Sequence, residues 1–90
     1  MDKRTLILAA LIATSTLAAK TDELETAYWD CDYAATQGAL GFGDATTCSQ
    51  VFEALKKEKF GGDFKKFMEW WKDNKEVEHS KRLAKDRSRT

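Results

Sequence analysis

From Lys20 to Thr90 the chain contains no proline, no isoleucine and only two valines, Val51 and Val77. β-Sheets are packed largely with β-branched residues, so a sheet has little to build on here. Proline is absent from the whole sequence, and nothing forbids long helices. The apolar material left is ten aromatic residues (five Phe, three Trp, two Tyr), Leu24, Leu40, Leu55, Leu83, Met68 and a set of alanines. Such a chain is expected to be all-α, a small three-helix unit with one disulfide and a frayed basic C-terminal tail.

The spacing predicts a first helix over residues 23–37. Asp22 and Glu25 form a capping-box pattern at its start. Leu24, Ala27 and Tyr28, Cys31, and Ala34 and Ala35 recur on one face. Gly38 ends it, and Gly41-Phe42-Gly43 connects it onward. A second helix is expected from about Asp44–Thr47 to Lys59, with Thr47 and Gln50 as a second capping box. Its inward face reads Cys48, Val51, Phe52 and Leu55. Gly61-Gly62 stops it, and Asp63 caps the third. That helix opens on Phe64, Phe67, Met68 and Trp71, again one stripe. Trp71 belongs to the stripe, whereas Trp70 falls on its flank, where packing against Tyr28 or Trp29 competes with a contact role. From His79 onward apolar anchors are few, and residues 79–90 read as a basic, disordered tail after a helical domain over 20–78.

Residues 1–19 have the pattern of a cleaved signal peptide. Lys3 and Arg4 precede an apolar run from Leu6 to Leu17, and Thr16-Leu17-Ala18-Ala19 supplies small residues for cleavage after Ala18 or Ala19. The run is shorter than the roughly 20 residues a membrane-spanning helix needs. The expected location is therefore periplasmic or secreted. In an oxidising compartment, two cysteines in a small domain point to a disulfide. Cys31–Cys48 would staple the first two helices, and a core this small benefits from it.

Charge is balanced overall, with 15 basic and 15 acidic residues, but it is polarised. Residues 20–50 hold one Lys against six acids, and residues 51–90 hold 12 basic against eight acidic residues. Among candidate chemistries, Asp30 and Asp32 point to opposite sides of a helix and read as partners for Arg or Lys of the basic half. His79, the single histidine, reads as exposed. Cys31, Cys48 and His79 lack zinc-site spacing, so no metal is expected. No nucleophile elbow, redox C-x-x-C or phosphate loop occurs, and neither an enzyme nor a cofactor is expected.

The most distinctive stretch runs from Lys56 to Phe67, five lysines interleaved with phenylalanines. Lys56, Lys57, Lys59, Lys65 and Lys66, with Phe60 and Trp70, form the candidate binding surface. Its expected partner is an anionic envelope component or another envelope protein. Nucleic acid is excluded as a partner by the expected export. The competing account makes these lysines a solvated face that pairs with the acids of the first helix. That helix is expected either to cover the basic surface or to form a homodimer contact.

Tyr28-Trp29-Asp30-Cys31-Asp32-Tyr33, Cys48 and Lys59-Phe60-Gly61-Gly62-Asp63-Phe64 together resemble small signal-bearing hypothetical proteins of proteobacteria. The chain also loosely resembles the HdeA-type periplasmic acid-stress chaperones, with an aromatic residue, Trp29, two positions before Cys31. That resemblance implies a small helical fold held by one disulfide and a chaperone activity switched on by acid; no residue takes a role from it. Two functions follow as expectations: a non-enzymatic binding module of the envelope, or an acid-stress chaperone.

Overall fold

The computed structural model describes residues 20–89. The expected signal segment, residues 1–19, and its cleavage position lie outside the described residues. Among the described residues there are three helices: α1 over residues 20–36, α2 over Phe42–Phe60 and α3 over Phe64–Ser88. There is no strand among the described residues.

Glycines set both connections. Gly38 has φ 68°, and the N–H groups of Gly38 and Ala39 donate to the carbonyls of Ala35 and Ala34 at 3.2 and 3.0 Å. This is a Schellman end, which needs the left-handed backbone that glycine adopts without strain. At the second turn Gly61 and Gly62 have φ 61° and 87°. Their N–H groups satisfy the carbonyls of Lys57 and Lys56 at 3.1 and 3.0 Å. Asp63 then caps α3, its Oδ1 accepting from the Lys66 N–H at 3.1 Å.

Neither expected capping box forms. Asp22 lies inside α1, which is already helical at Lys20. Thr47 lies inside α2, where its hydroxyl donates to the Gly43 carbonyl at 3.2 Å. A capping box works only where the backbone leaves helical geometry, and α2 leaves it at Gly41, whose backbone is extended.

The chain runs up, down and up. The Cys31–Cys48 disulfide and the Lys59–Glu25 ion pair set α1 and α2 antiparallel. The tight Gly61-Gly62 turn does the same for α2 and α3. The disulfide is present as expected, with Cα atoms 5.7 Å apart and a sequence separation of 17.

Tyr28, Trp29, Leu55 and Phe67 form the buried core, with Leu24, Val51, Phe52, Phe60, Met68, Trp70 and Trp71 packed around them. Phe67 is the centre. Its ring meets Phe52 at 4.9 Å, Tyr28 at 5.1 Å and Phe60 at 5.7 Å, each near perpendicular. Edge-to-face contacts of this kind set a positive ring edge against a negative ring face. The predicted stripe of α2 is the inward one. That of α3 holds from Phe67 on, but Phe64 is 55% exposed and only grazes Phe52.

The segment after His79 departs from the expected disordered tail. α3 continues unbroken to Ser88, because cross-helix polar contacts anchor it where apolar ones are missing. Arg82 Nε donates to Asp30 Oδ1 at 2.9 Å, and the Tyr33 hydroxyl donates to Asp86 Oδ2 at 2.8 Å. Lys85 and Arg87 in the last turn also suit the negative end of the helix dipole.

Candidate functional site

Asp30 and Asp32 of α1 form a polar seam along α3. Asp32 Oδ2 accepts from the Trp71 indole Nε1–H at 3.1 Å and meets His79 Nε2 at 2.8 Å. The Tyr28 phenol faces the same carboxylate. Burial first, then the charge and hydrogen bond of Asp32, hold that phenol well above its ordinary value. His79 is therefore not the exposed histidine the sequence suggests. Its ring lies 6.0 Å from that of Trp29 and 5.8 Å from that of Tyr33, edge-on to both.

Asp30 and Asp32 diverge as expected; Asp30 meets Arg82, whereas the partners of Asp32 are Trp71 and His79 and not an Arg or Lys. Arg82 completes the seam. Besides Asp30 it donates to the Thr26 carbonyl at 3.3 Å and to Glu78 Oε1 at 3.1 Å. The hydrogen bond from Lys81, with help from Arg82, holds the Glu78 carboxyl below its ordinary value despite partial desolvation. The Tyr33 phenol is raised, chiefly by its hydrogen bond to Asp86.

The lysines of the candidate binding surface divide into two sets. Lys56 pairs with Glu53 at 3.2 Å and lies over the Phe52 ring. Lys59 pairs with Glu25 of α1 at 3.1 Å and lies over Phe60 and Trp70. Lys59 thus ties α2 to α1, whereas the contacts of Lys56 stay within α2. Lys57, Lys65 and Lys66 are exposed and make no ion pair among the described residues.

The apolar members divide as well. Phe60 and Trp70 are not free for a partner. Phe60 packs on Phe67 and Trp70, and Trp70 packs on Tyr28 and Trp29, with ring centroids 5.1–5.9 Å apart. The side chain that replaces them at the surface is Phe64, which the stripe pattern assigned to the core. Phe64 directly precedes Lys65 and Lys66 and follows the Gly61-Gly62 turn. It sits in the first turn of α3.

No cluster of three or more metal-ligating side chains occurs among the described residues. No helix among them is long and apolar enough to cross a membrane. The disulfide fits a protein of a non-cytoplasmic, oxidising compartment. Compared with known proteins, the chain matches no family model, no curated protein and no solved structure.

Proposed function

We propose that the protein is a non-enzymatic binding module of the cell envelope, exported to the periplasm or beyond, that docks on an anionic surface through its α2–α3 turn. One observation carries this reading: Lys57, Lys65 and Lys66 are exposed and unpaired around a turn that also exposes Phe64. Unpaired lysines keep their charge available, and an exposed phenylalanine among them supplies the apolar contact that an interfacial binder uses. Each lysine is worth up to about 1 kcal/mol at an anionic lipid surface, so three contribute up to about 3 kcal/mol, on the order of 100-fold in affinity.

Co-sedimentation with phosphatidylcholine vesicles, with and without phosphatidylglycerol, tests it. The protein is expected to bind only the anionic vesicles and to be released by high salt. The Lys57→Gln, Lys65→Gln, Lys66→Gln triple variant should lose binding with unchanged helicity. Lys59 is left in place because it holds α1. Absence of binding by the wild-type protein at low salt overturns the reading.

A second reading has its own support. Helix α1, which brings Tyr28 and Trp29 into the core, is tied down by carboxylates: Glu25 to Lys59, Asp30 to Arg82 and Asp32 to His79. Protonating them weakens the ties and favours release of the aromatic core, as an acid-activated chaperone requires. A hydrophobic dye separates the two readings. A chaperone of this type binds it only after acidification, with the disulfide intact, whereas a constitutive docking module shows no such onset.

A further inference from the structure

We propose that the Cys31–Cys48 disulfide is a redox latch: its reduction releases residues 35–50 into an unstructured loop while the aromatic core and the α1–α3 seam stay folded. The two halves of α2 differ in what holds them. From Gly43 to Gln50 only Ala45 and Gln50 are strong helix formers, the rest being Gly, Asp, Thr, Cys and Ser. Every residue of that stretch is exposed except Cys48. The α2 members of the core begin only at Val51, followed by Phe52, Leu55 and Phe60. From Glu53 to Lys59 the chain also consists of strong helix formers. Weak propensity without burial does little to offset the entropy of ordering, so the first half of α2 depends on its covalent tie to α1.

Helix α1 does not depend on that tie. It stays on α3 through Asp32, which meets the Trp71 indole and His79, through Asp30 on Arg82, and through the Tyr33 hydroxyl on Asp86. It stays on the second half of α2 through the Glu25–Lys59 pair, and its Tyr28 and Trp29 share the core with Leu55 and Phe67. From Ala35 to Ala39 every residue is exposed. Cutting the disulfide therefore loosens the corner between two anchored segments rather than the bundle.

The bond is open to attack. Two shallow grooves of about 290 and 310 Å³ flank it, and both cysteines line each of them. Small side chains border the openings, Ala35, Ala45 and Ser49 on one side and Ala34, Ala39 and Thr47 on the other, which leaves a thiolate a path to sulfur. A dithiol operates the latch. Its first thiolate attacks one sulfur, forming a mixed disulfide and expelling the other cysteine as a thiolate. Its second thiolate then attacks the mixed disulfide and frees the first cysteine. The dithiol leaves oxidised to a disulfide, having given up two electrons, and Cys31 and Cys48 end as thiols carrying the two protons it released. Opening the corner uncovers the sides of Tyr28 and Phe52 that share a groove with Leu40, Ala45 and Ser49. The latch lies toward the Gly38 end of the bundle, away from the Gly61-Gly62 turn, and depends on neither proposed function.

The experiment is amide NMR spectroscopy of the protein before and after reduction by dithiothreitol, an uncharged dithiol. The Cys31→Ser, Cys48→Ser double variant serves as the permanently open state. On reduction the amide shifts of residues 45–50 are expected to move to unstructured values and their heteronuclear NOEs to fall, and reoxidation should restore both. The Trp29 and Trp71 indole signals and the Leu55 and Phe67 amides should keep their dispersion. Loss of all dispersion overturns the proposal, because the bond would then hold the whole fold. Helical shifts retained at residues 45–50 in the reduced protein or in the double variant overturn it as well.

Discussion

Replacing Phe67 tests the packing account at its centre. The side chain is 1% exposed and its ring contacts Tyr28, Phe52, Phe60 and Trp70 at centroid distances of 4.9–5.7 Å. Truncation of a buried phenylalanine to alanine costs about 3–5 kcal/mol through lost transfer energy and a residual cavity. A domain of roughly 70 residues has a total stability of about 3.5–10 kcal/mol. Phe67→Ala is therefore expected to remove between a third and all of it. Phe67→Leu keeps most of the apolar volume and loses the edge-to-face contacts, for about 1–3 kcal/mol. Phe64→Ala, at a 55% exposed position, is expected to cost under ~1 kcal/mol. Urea titration followed by far-UV circular dichroism, with the disulfide intact, measures all three. The reasoning is refuted if Phe67→Ala and Phe64→Ala cost the same.

Reducing the disulfide, or replacing Cys31 and Cys48 by serine, should lower stability by about 3 kcal/mol, as expected for a closed loop of 17 residues, read from the shift in urea midpoint. Asp32→Ala strips the Trp71 indole of its acceptor and should cost about 1–3 kcal/mol, whereas Asp32→Asn, which keeps an acceptor, should cost less; thermal melts rank them. Tyr28 is raised from an ordinary value of 10.0, so its contribution is complete below pH 10 and is lost as pH rises above it, at up to about 1.4 kcal/mol per pH unit. Phenolate absorbance should therefore lag a free-tyrosine titration and appear together with loss of helicity. Glu78 is lowered from 4.5, so its contribution is present above that pH and lost as pH falls through the lowered value. Glu78→Gln should flatten that part of the acid unfolding profile.

The parts of the fold that rest on apolar spacing and on glycine were readable in the sequence. Val51, Phe52 and Leu55 face inward as their spacing predicts, the turns at Gly38 and Gly61-Gly62 stand where expected, and Cys31 meets Cys48. Helix starts were less readable, since capping patterns at Asp22 and Thr47 occur inside helices where nothing needs a cap. The distal half of α3 was hidden for a different reason. Trp71, Lys75, His79, Arg82 and Asp86 recur at 0, 4, 8, 11 and 15, a helical stripe that happens to be polar. A search for apolar periodicity does not register it, although the complementary Asp30, Asp32 and Tyr33 lie on α1. Of the candidate binding residues, the sequence could not separate Lys57, Lys65 and Lys66 from Lys56 and Lys59. That division depends on Glu53 and Glu25, and the second is brought to Lys59 only by the tertiary fold. The exchange of Phe60 for Phe64 at the surface has the same origin. Both lie beside the turn, and the bundle covers the one on α2.

The docking claim is tested most directly by locating the contact on the molecule. Anionic bicelles carrying a lipid-anchored spin label should broaden the amide signals of Gly61, Gly62, Phe64, Lys65 and Lys66 first, and leave those around Gly38 and Leu40 at the opposite end sharp. Broadening centred on the Gly38 end, or none at all, contradicts the account.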